Sequence, residues 1–207
     1  MSVTIKHLIK AAVAVGLLAA ASGAMANAEL NKQAPAFDAV GADGKPLKLD
    51  AYKGKTVVLE WTNHECPFVA KHYESGNIPN LQKDAAGKGV VWLQVVSSAP
   101  GKQGHVDGAT ARKLNGERKA APAATVLDAD GKIGKLYGAQ TTPHIFIVNA
   151  AGQLVYKGGI DSIPTADKND LAKAENYVSA ALAAINAGKP VEKANTRPYG
   201  CSIKYAG

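Results

Sequence analysis

The stretch Thr56-Val57-Val58-Leu59-Glu60-Trp61-Thr62-Asn63-His64-Glu65-Cys66-Pro67-Phe68-Val69 decides the fold. Its first half is an apolar, β-branched run after the turn signal Lys53-Gly54-Lys55, the pattern of a buried strand. A short polar loop leads to a Cys-Pro step, where helical spacing begins. Pro67 restricts Cys66 to extended backbone and itself suits the first helical position, which predicts Cys66 at a helix N-cap. Its sulfur then faces unpaired backbone N–H groups and the positive end of the helix dipole, both of which favour the reactive thiolate. The neighbouring Glu65 carboxylate opposes that preference.

Within the strand, Val57, Leu59 and Trp61 share one face, and Val58, Glu60 and Thr62 share the other. Glu60 is the odd residue. Its carboxylate is either hydrogen-bonded as part of the structure or is a proton-carrier candidate below the cysteine.

Outward from this stretch, Gln33-Ala34-Pro35-Ala36-Phe37-Asp38 and Leu47-Lys48-Leu49 flank the turn Gly41-Ala42-Asp43-Gly44, which predicts a β-hairpin at the front. Helical spacing after Cys66 runs to about Tyr73 and is interrupted at Ser75-Gly76-Asn77. A further helical stretch runs from Ile78 toward Gly87. Gly89 to Ser97 is a second buried strand, so the pair with its helical connection forms a right-handed βαβ unit. A Gly-rich loop from Ala99 to Gly108, a weakly apolar helix over 109–119 and a short strand over 123–128 follow. Asp128-Ala129-Asp130-Gly131 is a turn into a helix starting near Ile133. Strands at 144–149 and 154–159 form a hairpin, and Pro143 stands at the entry of the first, where its missing N–H breaks no ladder bond. Asp170 to Ala187 carries Leu171, Ala174, Tyr177, Val178, Ala181, Leu182 and Ile185 on one face, which predicts one amphipathic helix. His72 reads as a surface or partly packed histidine, and Trp61 and Trp92 as core.

The first residues belong to a different category. Lys6 and Lys10, the apolar run Ala11 to Ala21, and Ala24-Met25-Ala26 or Ala26-Asn27-Ala28 have the layout of a secretory leader with a small-residue cleavage site. The expected organisation is therefore a signal peptide over 1–28, one domain over 29–190 and a tail over 191–207. Export implies a periplasmic protein with no membrane attachment once the leader is removed, in a compartment where disulfides persist. Losing the leader removes two lysines and no acid, so the formal charge of +7 becomes +5. With no basic block or aromatic-rich basic stripe, nucleic acid is not an expected partner.

The ordered set of hairpin, βαβ unit, helix, strand, hairpin and helix resembles the thioredoxin-like superfamily. Gln33-Ala34-Pro35-Ala36-Phe37, Leu49-Asp50-Ala51-Tyr52-Lys53-Gly54-Lys55 and Cys66-Pro67-Phe68 are most similar to its redoxin branch of peroxiredoxin-like antioxidant proteins. The resemblance implies an α/β fold with a central mixed sheet flanked by helices, an N-terminal hairpin and a Cys-bearing tail. It also implies a cis peptide at Thr142-Pro143, set against the active cysteine. Two departures stand out. Asn63 and Val69 occupy the positions three before and three after Cys66, so there is no CxxC dithiol. The Thr or Ser of typical peroxiredoxins is replaced by Asn63, with Thr62 one residue early, and Leu59 stands where they carry proline.

The resemblance implies an oxidoreductase without a cofactor or a resident metal. In one reading Cys66 reduces a hydroperoxide, Cys201 resolves the sulfenic acid as a disulfide, and an exported thiol reductant reopens it. Thr62, Asn63 and His64 would orient the oxidant. In a second, the same pair exchanges with protein disulfides that dock beside Thr142 and Pro143. A third is a copper carrier using Cys66, His64 and His144. A static Cys66–Cys201 bridge pinning the tail is the purely structural alternative.

Overall fold

The computed structural model describes residues 28–206. The proposed leader lies outside these residues except for Ala28, which is buried. Its N–H donates to Leu136 O at 3.4 Å, and its carbonyl accepts Lys157 Nζ at 3.3 Å.

The N-terminal hairpin is β1 (Asp38–Gly41) and β2 (Pro46–Lys48), closed by the Asp43-Gly44 turn, where Gly44 adopts φ +80°. Next come β3 (Val57–Trp61), α1 (Pro67–Glu74), α2 (Asn77–Gly87) and β4 (Val91–Val96). The two strands are parallel, as the βαβ reading requires. Then follow α3 (Gly108–Glu117), β5 (Ala124–Leu127) and α4 (Lys132–Tyr137). The chain continues through the short β6 (Thr141–Thr142), the hairpin of β7 (His144–Val148) and β8 (Leu154–Gly158), and α5 (Tyr177–Asn186). β9 (Cys201–Ser202) closes the series.

Seven strands form one mixed sheet in the order β2-β1-β5-β4-β3-β7-β8. β3 lies inside it, parallel to β4 and antiparallel to β7, and all five of its residues are buried. The alternation read from the sequence divides the core. Val57, Leu59 and Trp61 pack with Val95, Tyr137, Phe146 and the N-terminal segment, while Val58 faces the other layer, with Cys66, Val69, Tyr73, Trp92 and Val178. Helices α1, α2 and α5 cover this second face, and α4 contributes to the first.

One expected element is shorter than its apolar spacing suggested. Residues Lys168–Ala172 form a 3-10 turn, and α5 begins only at Tyr177. Asn176 is its N-cap, accepting Ser179 N–H at 2.9 Å, so Leu171 and Ala174 precede the helix. A side-chain cap that satisfies the first free N–H groups outweighs the periodicity upstream.

Candidate active site

Cys66 occupies the predicted N-cap of α1, with extended backbone (φ −85°, ψ 121°) and Pro67 opening the helix. It is 1% exposed, and its Sγ donates to Thr142 O at 3.1 Å. The Thr142–Pro143 peptide is cis, and both residues are buried. The acceptor for the cysteine thiol is therefore the carbonyl of the peptide that enters Pro143.

Thr142 is held by β9. In this two-stranded antiparallel pair Thr142 stands opposite Cys201 and Thr141 opposite Ser202. Cys201 packs against the cluster that contains Cys66, and both sulfurs are unbridged. Burial, and then the Cys66 sulfur beside it, push the Cys201 thiol up to about 11. Gly200 makes the approach feasible: it adopts φ +127°, and a Cβ there would run into Thr142 O. The site is thus a dithiol whose members come from the first turn of a helix and from the tail.

The tail is fastened on both sides of Cys201. Before it, Lys157 N–H donates to Ala194 O at 2.9 Å and Thr196 N–H to Lys157 O at 3.1 Å, along the outer edge of β8. After it, Ile203 N–H reaches Gln140 O at 3.0 Å, Ala99 N–H reaches Lys204 O at 2.8 Å, and Tyr205 OH donates to Ala139 O at 2.8 Å. These anchors are in place with both cysteines free.

Glu60 lies fully buried on the Cys66 side of the sheet. Its Oε1 accepts Tyr73 OH at 2.6 Å, and its Oε2 accepts Trp92 Nε1 at 2.7 Å and Gln82 Nε2 at 3.3 Å. Burial raises its carboxyl to about 7, and these three neutral donors hold it from rising further. Gln94 Nε2 in turn donates to Tyr73 OH at 2.5 Å. Tyr73, Gln82 and Gln94 were not singled out by sequence reasoning; a polar residue at an inward position of β4 was the available signal for Gln94.

The oxidant-orienting candidates lie in the loop between β3 and Cys66, where Asn63 O accepts Cys66 N–H at 3.1 Å. Thr62 Oγ1 and Asn63 Nδ2 are buried without hydrogen-bond partners. Thr62 and His64 border a small cavity with Gln94, Val106 and Arg118, while Asn63 Oδ1 accepts Glu65 N–H at 2.9 Å. Desolvation lowers the half-buried His64 from its ordinary value. The Arg118 guanidinium lies 5.1 Å from the Tyr73 ring centroid, and Arg112 is bonded to Ala42 O.

His144 does not join the cysteine. Its ring packs on Phe146 at 4.5 Å, in the layer opposite Cys66, and its Nδ1 accepts Gln140 N–H at 3.2 Å. Burial lowers it to about 3. The copper set of Cys66, His64 and His144 is therefore not assembled, and no group of three His, Cys, Asp or Glu side chains among the described residues is placed to hold a metal ion. His72, expected at or near the surface, is fully buried.

The family model Redoxin matches residues 29–177. Among solved structures, a hypothetical protein of Sinorhizobium meliloti 1021 is 23% identical with a TM-score of 0.72, covering 86% of this chain and 96% of its own. An uncharacterized conserved protein of Geobacillus kaustophilus is 26% identical with a TM-score of 0.71, covering 86% and 93%. The thioredoxin domain of a thiol-disulfide oxidoreductase from Bacteroides vulgatus is 22% identical with a TM-score of 0.50, covering 70% and 96%. No curated protein matches the chain.

Proposed function

As this chain belongs to the Redoxin family and is an oxidoreductase of thioredoxin-like fold, we propose that Cys66 and Cys201 are its redox pair and that it works by thiol–disulfide exchange. The pairing of β9 with β6 carries this reading, because it sets Cys201 opposite Thr142, whose carbonyl takes the Cys66 thiol. Oxidation joins the two sulfurs and releases two electrons and two protons to a disulfide substrate, which leaves as two thiols. Cys66 supplies the attacking thiolate from the N-terminus of α1. Cys201 holds its proton at neutral pH, so closing the bridge needs a group to take it. Glu60, buried in the same layer and titrating about 7, is the proton-carrier candidate. Export through residues 1–28, a periplasmic location and an exported thiol partner belong to the same proposal.

Reduction of a hydroperoxide is the second reading, favoured by a Cys66 that is 1% exposed beneath the tail and by the unpaired donors on Thr62 and Asn63 nearby. Against it, the Cys66 sulfur's hydrogen bond goes to Thr142 O, while Arg118 lies over the Tyr73 ring and Arg112 is bonded to Ala42 O. Intact-mass analysis separates the two. Reduced wild type, Cys66→Ser and Cys201→Ser are mixed with one equivalent of hydrogen peroxide or of glutathione disulfide and quenched within seconds. Exchange predicts loss of two hydrogens in wild type with the disulfide and little change with peroxide. A rapid oxygen adduct on Cys66 in the Cys201→Ser protein establishes the peroxide reading instead. Failure of wild type to form an internal disulfide with either reagent, even at equilibrium, overturns both.

A further inference from the structure

Behind Cys66, α1 turns two polar residues inward. Lys71 and His72 are 1% and 0% exposed, and Asp161, on the chain after β8, is 2% exposed. Lys71 Nζ lies 3.6 Å from Asp161 Oδ2 and donates to Ile163 O at 3.3 Å. The residue that joins this cluster to the tail is Tyr199, two positions before Cys201. Its OH donates to Asp161 Oδ1 at 2.5 Å. Its ring meets Phe68 edge-on, with centroids 5.9 Å apart, and lies 5.8 Å from Lys71 Nζ.

Donor accounting fixes the direction of the network. Tyr199 gives its only proton to Asp161, so it must accept from His72 Nε2, 3.1 Å away. His72 therefore carries its proton on Nε2 and accepts at Nδ1 from Asn77 Nδ2 at 2.8 Å. Asn77 Oδ1 accepts Asn176 Nδ2 at 3.2 Å, and Asn176 is the N-cap of α5. Burial lowers His72 to about 4, in keeping with the neutral ring this chain of donors needs. Every bond points toward the Asp161 carboxylate, and the chain ties α5, α2 and α1 to the tail through one phenol.

We infer that Tyr199, held by Asp161, Lys71 and His72, is a positioning residue that sets the effective concentration of Cys201 at Cys66. The inference rests on the exchange pair proposed above. One residue, Gly200, separates Tyr199 from Cys201, and it has the backbone freedom, and the lack of a side chain, that closeness to Thr142 O demands. Releasing Tyr199 leaves Thr196, five residues away, as the nearest hydrogen-bonded anchor upstream of Cys201 among the described residues. The bridge would then form from a broader set of tail conformations, at an entropic cost the intact protein has already met on folding.

The test is a redox titration of the full chain in buffers of glutathione and glutathione disulfide, with the dithiol and the bridged form quantified by mass after alkylation. Tyr199→Phe, which keeps the ring against Phe68, is expected to lower the equilibrium constant for bridge formation about tenfold, near 30 mV for a two-electron couple. His72→Gln, which retains a donor for the phenol, is expected to stay within about twofold of wild type. Thermal unfolding of Tyr199→Phe in a Cys201→Ser background measures any structural cost separately. A folded Tyr199→Phe protein with the wild-type constant overturns the inference while leaving the redox pair intact. A wild type that forms no bridge overturns the pair itself. If Tyr199→Phe does not fold, the comparison passes to His72→Leu against His72→Gln: a selective loss with leucine supports the inference, and equal constants overturn it.

Discussion

Two carboxylates are sealed under α1, and they are held in opposite ways. Glu60 meets three neutral donors, Tyr73, Trp92 and Gln82, with no cation among the described residues in hydrogen-bonding contact. Asp161 has the Lys71 ammonium at 3.6 Å besides the Tyr199 hydroxyl. Neutral dipoles satisfy lone pairs but do not replace the hydration of a full charge, so Glu60 takes up its proton about pH 7. The pair at Asp161 instead keeps two opposite charges together in the interior, and one of them holds the tail. The same helix thus separates a group suited to moving a proton from a group suited to holding a position.

Removing the cation is the most severe way to break this contrast. Lys71→Met leaves Asp161 buried without its partner, and the expected loss is about 3 to 5 kcal/mol of unfolding free energy at pH 7. The Lys71→Met, Asp161→Asn double variant should recover a large part of it. Urea unfolding of the reduced proteins measures both. A single variant within about 1 kcal/mol of wild type, the range of an exposed pair, would show that Asp161 does not need Lys71.

Glu60 sharpens the contrast through pH. The folded protein holds this proton up to about 7 against an ordinary value of 4.5, so it binds more protons than the unfolded chain between those limits. Stability contributed by the group is therefore full below pH 4.5, declines as pH rises through 7 and is level above. The total fall is on the order of 3 kcal/mol. Glu60→Gln should remove that slope, read as the difference between the two stability curves from pH 4 to 8. Parallel curves would mean that Glu60 does not titrate there.

The first of these regions was far more legible in the sequence than the second. The run from Val57 to Pro67 announces a strand, a loop and an N-capped helix by local rules, and Glu60 is conspicuous because it interrupts an apolar strand. Lys71 and His72 carry no such signal. On an eight-residue helix they read as solvated or partly packed positions, and what they meet inside is Asp161, on the chain beyond β8. Cys201 could be paired with Cys66 only by resemblance, since its contact with Thr142 spans 59 residues and two strands of two residues each. Tyr199 and Tyr205 flank Cys201 with no local signal of what they hold, and their bonds to Asp161 and Ala139 stand with the thiols free. The α5 boundary was readable in principle from Asn176 as a cap, but the apolar spacing upstream concealed it.

The smallest effects come from trimming one neutral donor in each network, at Glu60 itself and at the His72 ring that feeds Tyr199 and Asp161. Tyr73→Phe removes the donor that most lowers Glu60 and leaves Gln94 Nε2 without its acceptor, a cost of about 1 to 2 kcal/mol. It should also move the Glu60 titration upward, so that the fall in stability with pH extends beyond 7. Asn77→Ala removes the donor to His72 Nδ1 at a cost of about 1 kcal/mol. Because His72 titrates at about 4 and stays neutral above it, this variant should leave the curve between pH 6 and 8 parallel to wild type. The paired pH profiles decide whether the two carboxylates differ in kind. A profile moved by Tyr73→Phe alone assigns the neutral-range titration to Glu60. A profile moved equally by Asn77→Ala would place a titrating group in the tail-holding cluster as well, and the separation of proton movement from positioning would collapse.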